Sequence, residues 1–431
     1  MSQAQGNNAG THSSTLPLHI PSGINYECTG CGKCCSGWSV PMTETDYERI
    51  SAIDWEKRKD KFVGRNLFRE LPEQDQKNGP YTHSIRVGDD GFCPFLVDNL
   101  CFIHASFESK TKPTICQLFP YCFNETPSGY YASISFVSVG AVKNAGRALT
   151  EQTDYMEQKL GEFKALYPDH HPNWSAIEFV KQMPMTWDEY LGHEAKIFEF
   201  LAERGQPLKE RIARASIYLN NFYRKQRGVA EVDPSPPAEL FGPQGREKNK
   251  LKKDDIRLLS TLHKLYFPLK QVTRGDNNFS ATAFMLDGFR KAVLAPLSGK
   301  PTLRLATVHG TYSLDQLLAM PLDESGEIED MLYRYLFSRI FGKLYFGAGY
   351  GQLSLIAGFH HLIAVYALIK LQARAIALGR GESQVSESDL VACLRQVEKR
   401  LGDSSLDGYG AAVFELFFQS KDRCFRFLAN S

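Results

Sequence analysis

The spacing of cysteines is the feature that most constrains this chain. Eight of its ten cysteines lie between positions 28 and 122, and four of these form the run CTGCGKCC, a CxxCxxCC pattern. A CxxC turn aims two sulfur atoms at one centre, and a third cysteine three residues further on repeats a spacing found in iron-sulfur proteins. Zinc accepts similar turns, so the ligands are better specified than the metal. The predicted ligands are Cys28, Cys31, Cys34, Cys35, Cys93, Cys101, Cys116 and Cys122.

A disulfide framework is the main alternative, since eight cysteines could pair in an oxidising compartment. Residues 1–22 are polar and contain no apolar stretch like that of a secretory signal. A chain of 431 residues can also bury a core without covalent cross-links. We therefore expect a cytoplasmic protein with metal-bound thiolates, with disulfides and unligated thiols as the weaker alternatives. Cys393 and Cys424 stand in apolar, helix-like segments and are expected to be buried small hydrophobic residues.

Charge and hydropathy limit the partners. The formal net charge is +1, which gives no electrostatic case for nucleic-acid binding. Residues 353–371 are apolar enough to raise the question of a membrane span, but they include His360, His361 and Lys370. We expect a buried helix there and no membrane span.

Composition and hydrophobic periodicity divide the chain into five parts. We predict a disordered tail (1–22), a cysteine-cluster metal-binding module (23–150), a helical region (151–226), a linker or mobile loop (227–253) and a C-terminal helical domain (254–431). The expected fold class is α+β, mostly α, with a small irregular cysteine-rich module followed by a larger helical part.

Local signals place some elements of the module. Thr43 followed by Asp46 is a helix-start pattern, so a helix should run from there to about residue 53. Residues 81–87 alternate like a strand, and a turn at 89–91 should return the chain as a partner strand at 92–97, which would carry Cys93. A further strand is expected at 130–139 and a helix at 141–149.

Helical periodicity dominates beyond residue 150, with a second helix-start pattern at Thr186–Glu189. A short strand pair is expected around 303–312. Helices are predicted at 151–167, 186–204, 208–225, 255–267, 328–345, 353–378, 388–401 and 411–428.

Several neighbours of the cysteines have two interpretations. Lys33 could lower the pKa of nearby thiols or be an ordinary exposed lysine. His83 and His104 are conceivable alternate ligands, although solitary histidines are more often ordinary polar residues. Cys34 and Cys35 are adjacent, so their side chains should point apart and serve different sites, or one should stay free. The segment 347–351 contains three glycines, but it is expected to be a helix junction rather than a phosphate-binding loop.

The cysteine motifs resemble a known family. The run from Cys28 to Cys35, then Cys93-Pro94-Phe95-Leu96, Leu100-Cys101 and Cys116-Gln117-Leu118-Phe119-Pro120, is similar to the YkgJ-type CxxCxxCC cysteine-cluster family, described as zinc- or iron-chelating. The continuation through Gly37 and Trp38, and the plan of a cysteine module followed by helices, resemble the flagellin lysine-N-methylase branch. Ser138 stands about where those methylases tend to have cysteine, and Cys122 is not clearly part of their pattern.

The resemblance implies an iron-sulfur cluster, 4Fe-4S in type, or zinc, and transfer of a methyl group from S-adenosylmethionine to a lysine of a protein substrate. The sequence itself identifies no catalytic residue and no S-adenosylmethionine motif. A non-catalytic metal-binding or redox-responsive protein, whose helical part binds a partner, is the alternative.

Overall fold

The computed structural model describes residues 16–35, 39–77, 79–88, 90–232, 241, 243–269, 302–403 and 408–431. Helices account for 52% of the described residues, and the strands form small sheets of two or three members. The predicted α+β, mostly α class is therefore confirmed, with the cysteines clustered in the N-terminal region.

The strands are short. They are β1 (Leu18–His19), β2 (Val40–Met42), β3 (Phe68–Glu70), β4 (His83–Ile85), β5 (Leu96–Val97), β6 (Leu100–Cys101), β7 (Tyr121–Thr126), β8 (Gly129–Ile134), β9 (Glu178–Val180), β10 (Met183–Pro184), β11 (Arg304–Thr307) and β12 (Gly310–Ser313).

The helices lengthen toward the C-terminal half. They are α1 (Glu44–Ser51), α2 (Glu73–Gln76), α3 (Phe102–Ser106), α4 (Thr114–Leu118), α5 (Val139–Val142), α6 (Thr153–Leu166), α7 (Trp187–Ala202), α8 (Leu208–Gln226), α9 (Pro243–Lys248), α10 (Lys253–Tyr266), α11 (Leu314–Ala319), α12 (Gly326–Phe341), α13 (Leu355–Gly379), α14 (Glu387–Asp403), α15 (Gly408–Phe418) and α16 (Lys421–Ala429).

A small core holds the first part of the module. The antiparallel sheet β2-β4-β3 places Val40 and Phe68 on either side of Ile85. Trp55 and Phe95 pack beneath this sheet with ring centroids 4.6 Å apart. Because this core consists of few side chains, its burial alone stabilises the segment only modestly.

A second, much larger core extends across most of the chain, from Ile24 to Leu428. The β7-β8 hairpin and α5 contribute to it, so these elements pack with the helices although they lie before residue 150. Strand β1 pairs in parallel with β8, with Leu18 opposite Tyr130. The predicted disordered tail thus extends too far, since its last residues form this strand.

Helix α13 is the centre of the larger core. Its length and composition would allow it to cross a membrane, but 83% of its apolar window is buried inside the protein. The prediction of a buried helix is confirmed. His360 is hydrogen-bonded to Ser216 Oγ at 2.9 Å, and His361 to the Tyr266 hydroxyl at 2.6 Å.

Both helix-start patterns are confirmed. Thr43 and Asp46 form a capping box before α1, and Thr186 and Glu189 form one before α7. In each box the hydroxyl accepts from the third backbone N–H of the helix and the carboxylate accepts from the cap residue, so two otherwise unpaired donors are satisfied. The strand pair predicted near 303–312 is also confirmed, as β11 and β12.

The predicted hairpin of residues 81–87 with 92–97 is wrong. Strand β4 pairs with β2 and β3, because this arrangement buries Ile85 in the small core. Gly88 N–H donates to Phe92 O, but Pro94 then lacks the N–H that a ladder would need, and the chain turns so that Leu96 N–H donates to Cys93 O. Position 89 of the predicted turn lies outside the described residues.

Two predicted helices and the predicted linker also need correction. The helix expected at 141–149 ends at Val142 in α5. The helix expected at 411–428 is divided into α15 and α16, which allows Arg423 and Arg426 to reach Asp255 on α10. The predicted linker contains α9, while 233–240 and 242 lie outside the described residues.

Candidate metal centre

Four cysteines from separate segments occupy one neighbourhood, which we call the four-cysteine group: Cys35, Cys93, Cys101 and Cys116. All four are half-buried. Cys93 N–H donates to Cys35 O at 2.9 Å, which fixes the first two segments side by side. In the β5-β6 hairpin Cys101 is paired with Leu96. Because Leu96 is only three residues beyond Cys93, this pairing brings Cys101 close to Cys93.

The fourth member of the group is positioned through the first helix. The buried carboxylate of Asp46, which caps α1, also accepts from the backbone N–H of Thr114 at 3.0 Å and from its hydroxyl at 2.9 Å. Thr114 opens α4, which carries Cys116. The helix-start pattern at Thr43 therefore also anchors a cysteine about seventy residues further along the chain.

Electrostatics in the four-cysteine group oppose thiolate formation when no cation is bound. Burial, reinforced by the charge of Cys101, raises the pKa of Cys35 to about 12. Burial, reinforced by Cys35 and Cys101, likewise raises the pKa of Cys93 to about 12. The pKa of Cys116 is raised well above its ordinary value, mainly by burial and then by the other three members. A bound cation would reverse this effect, because it favours the thiolate form.

The remaining cysteines of the CxxCxxCC run, which we call the loop cysteines, are Cys28, Cys31 and Cys34. Gly32 in this loop has φ +64°, and a Cβ there would lie 3.2 Å from Asn99 Cα in the β5-β6 turn. Only glycine tolerates both this conformation and this close approach. The loop therefore packs directly against the hairpin that carries Cys101.

Arg395 of α14 is a cation close to the loop cysteines. Its guanidinium donates to Lys33 O at 2.8 Å and to Val137 O at 2.8 Å. Burial alone would raise the pKa of Cys31, but hydrogen bonds from Thr29 and from the Lys33 N–H, together with the charge of Arg395, lower it. Arg395 lies 362 positions beyond Lys33, so no local sequence signal identifies it.

Cys34 and Cys35 interact with different groups, although Cys34 also raises the pKa of Cys35. Their backbone forms a single 3-10 turn rather than an extended segment. Burial raises the pKa of Cys34, while hydrogen bonds from Ser138 and from the Val139 N–H at the start of α5 act against that shift. Ser138, the residue that departs from the methylase pattern, thus contacts a predicted ligand directly.

Cys122 lies apart from the other predicted ligands. Its Sγ is 3.7 Å from Pro120 O. Burial and the charge of Glu398 raise its pKa to about 12, and Arg339 is the cation that acts against the shift. Cys122 therefore lies near Glu398 of α14 and Arg339 of α12, and no other cysteine is among the groups that shift its pKa.

The other predicted neighbours lie at the edge of the site. His83 stacks on Tyr47 and its Nδ1 is 3.4 Å from Glu44 Oε2. His104 is exposed on α3. Lys33 is exposed, and the donor that it supplies to Cys31 is its backbone N–H. Gly37 and Trp38 lie outside the described residues.

All ten cysteines are free thiols, and Cys393 and Cys424 are fully buried, as predicted. Within the part of the chain that the structure describes, no three histidine, cysteine or acidic side chains are already close enough to hold one metal ion. The donor set nevertheless fits a thiolate site, since four sulfurs suit either tetrahedral zinc or a 4Fe-4S cluster. Binding would require these side chains to close around the ion.

The glycine-containing segment before α13 is a packed turn, as predicted. Gly347 N–H donates to Leu353 O at 2.8 Å, and a Cβ at Gly349 would lie 1.7 Å from Lys343 O. This loop is therefore filled by the protein's own backbone and offers no cradle for a phosphate.

Comparisons with known proteins agree with this location of the site. Residues 27–137 match a family model named CxxCxxCC and described as "Putative zinc- or iron-chelating domain". The range includes the four-cysteine group, the loop cysteines and Cys122.

One curated relative is an uncharacterized protein of Methanocaldococcus jannaschii, which is 29% identical over 101 residues. The alignment covers 23% of this chain and 30% of that protein's length. No solved structure matches this chain.

Proposed function

We propose that the N-terminal module binds zinc or an iron-sulfur cluster through Cys35, Cys93, Cys101 and Cys116. The observation that carries this proposal is the meeting of four half-buried thiols from four separate segments within the chelating domain. Each thiol raises the pKa of others in the group, and a metal cation offsets that repulsion by stabilising the thiolates. The metal would order the module, and no redox role is required.

Metal analysis of protein purified without oxygen tests this proposal. Iron, zinc and acid-labile sulfide are measured on the wild type and on Cys93→Ser and Cys393→Ser. We expect metal or cluster in the wild type, its loss in Cys93→Ser, and unchanged content in Cys393→Ser, since Cys393 is fully buried in α14 and no other cysteine is among the groups that shift its pKa. Equal loss in both variants, or none in either, would contradict the assignment.

Cys122→Ser provides a sharper test of the ligand set. If the four-cysteine group binds the metal alone, this variant keeps its metal content. If all eight predicted cysteines share the metal, content falls as it does in Cys93→Ser. Cys28→Ser, Cys31→Ser and Cys34→Ser then show whether the loop cysteines hold a second site.

For the whole chain we propose methyl transfer from S-adenosylmethionine to a lysine of a protein substrate. Support comes from the resemblance of the cysteine module and of the overall plan to flagellin lysine-N-methylases. An acceptor lysine must lose its proton, since its ordinary pKa of about 10.4 leaves an ammonium without a lone pair. A desolvated site with a carboxylate or tyrosine would assist that step.

A non-catalytic metal-binding or redox-responsive protein is the second candidate. The contact of Arg395 with the cysteine loop favours it, because that contact joins the metal module to the helical half without requiring chemistry. Calorimetry with S-adenosylmethionine separates the two candidates. Heat of binding that saturates at one equivalent supports the methylase, and no heat at high protein concentration supports the second candidate.

A further inference from the structure

An open cleft lies at the far end of the β7-β8 hairpin from Cys122. Its volume is about 810 Å³. The residues that line it include Trp174, Trp187, Met185, Leu16, Glu125 and Glu189. The two indole rings are 5.2 Å apart and form an angle of 64°.

Both indole N–H groups are already paired within the protein. Trp174 Nε1 donates to Glu125 O at 2.7 Å, and Trp187 Nε1 donates to Ser128 Oγ at 2.9 Å. The tryptophans therefore offer a ligand their ring carbons rather than a hydrogen-bond donor. Trp174 is only 5% exposed and forms a wall, whereas Trp187 is the more accessible ring.

The charge of the cleft is negative. Partial burial opposes ionisation of Glu125, but hydrogen bonds from Tyr130 and His171 lower its pKa overall. The backbone N–H and hydroxyl of Thr186 lower the pKa of Glu189. Both carboxylates are thus ionised at neutral pH and retain free lone pairs, since each carboxylate can accept about four hydrogen bonds.

Nearby cations offset this charge only in part. His171 touches Glu125, and Lys164 lies over the Tyr130 ring at 4.2 Å. Among the described residues that line the cleft there is no lysine or arginine. Aromatic rings beside carboxylates favour binding of a cation with alkyl substituents. The ring faces and the carboxylates both attract positive charge.

We propose that this cleft binds an alkylammonium ligand, with its carbon atoms against Trp187 and Met185 and its charge toward Glu125 and Glu189. The source is either a free quaternary ammonium compound or the side chain of a lysine in a polypeptide. The proposal stands on the cleft alone and requires neither metal binding nor methyl transfer.

Titration of the full-length protein at pH 7, followed by tryptophan fluorescence and calorimetry, tests the proposal. The probes are choline, Nα-acetyl-lysine amide and 3,3-dimethylbutanol, which has the shape of choline without its charge. We expect at least one cationic probe to bind and the neutral alcohol to bind at least fivefold more weakly. Tighter binding of choline indicates a free ligand, and tighter binding of the lysine amide indicates a polypeptide.

Two variants and a matched control complete the test. Trp187→Leu should weaken binding of the cation about tenfold, and Glu189→Gln about fivefold. Glutamine at this position preserves the capping box before α7, so the helix start is retained. Glu199→Gln removes an equal charge from an exposed position on the same helix and should have no effect. The proposal is overturned if the alcohol binds as tightly as choline, if no cation binds at millimolar concentration, or if Glu189→Gln and Glu199→Gln behave alike.

Discussion

Around helix α13 two buried lysines are paired with carboxylates, whereas in the four-cysteine group the buried ionisable atoms face others of their own kind. Lys370 Nζ lies 2.9 Å from Glu324 Oε1, and Lys343 Nζ lies 2.7 Å from Glu194 Oε1. Cys35, by contrast, has Cys101 as its main charged neighbour. In the helical part, glutamate carboxylates neutralise these two lysines. The four-cysteine group would instead need a bound metal cation, as proposed above.

Removal of the metal should have the largest effect and should separate the two regions. Structural zinc contributes on the order of 10 kcal/mol to the folding of small domains. A chelator should therefore abolish protection of module amides such as Phe102 N–H, while amides in the middle of α13 stay protected. Hydrogen exchange with mass spectrometry measures both, and equal loss of protection in the two regions would break the comparison.

Asp255→Ala should damage the helical part without affecting the metal. The carboxylate of Asp255 accepts from Arg423 at 2.8 Å and from Arg426 at 2.9 Å, and its loss leaves two guanidinium groups without their counterion. We expect a loss of about 3–5 kcal/mol in the free energy of unfolding, measured by urea denaturation.

Asp54→Ala is the control for that substitution, because Asp54 and Lys57 form an exposed ion pair. It should leave the free energy of unfolding unchanged within the error of the measurement, because water screens an exposed ion pair. Metal content should be unchanged in both variants, and a fall in Asp255→Ala alone would show that the two regions are more strongly coupled than we infer.

Acid should destabilise the helical part through its buried histidines, among which His360 and His361 are fully enclosed. Burial lowers the pKa of His360 to about 4 and that of His361 to about 3, so both are neutral in the folded protein. The unfolded chain binds protons at about pH 6.5, and each histidine therefore removes up to about 1.4 kcal/mol of stability per pH unit as pH falls from 6.5 toward 4. Above pH 6.5 this contribution is complete.

Urea denaturation of the wild type and of His361→Gln at several pH values measures this slope. We expect the variant to lose about 1 kcal/mol of the dependence between pH 6 and pH 5, while His360 and the other buried histidines retain theirs. An unchanged slope would mean that other groups control the acid sensitivity.

Gly32→Ala should have the most local effect, confined to the module. A left-handed φ costs a residue with a side chain about 1–2 kcal/mol, and here the added Cβ also meets Asn99 Cα at 3.2 Å. Gly64→Ala is matched to it, since Gly64 has φ +68° with no atom within 4 Å of its Cβ position. Metal affinity, measured by competition with a chelator, should be lower in Gly32→Ala and unchanged in Gly64→Ala.

Much of the helical part could be predicted because its signals are local. Periodicity and the capping boxes at Thr43 and Thr186 located helices within a few residues. The pairing of the short strands could not be predicted from sequence. Strand β4 pairs with β2 and β3 because this buries Ile85 in a core that is assembled from distant segments.

The site was only partly predictable for the same reason. Spacing selected eight cysteines, but it could not separate Cys122, whose direction is set by its strand packing into the larger core. Arg395 and Asp46 influence the cysteines across long sequence distances, through contacts that exist only once the chain has folded.

The two hydrogen bonds of Arg395 bear on how the cysteine domain can be handled in isolation. A fragment limited to residues 27–137 would lack the arginine that holds the carbonyls of Lys33 and Val137, and Phe136 would lose the covering ring of Tyr335. Such a fragment would expose apolar surface and aggregate. The candidate metal centre should therefore be studied in a protein that retains the C-terminal helices through α14, and not in the isolated domain.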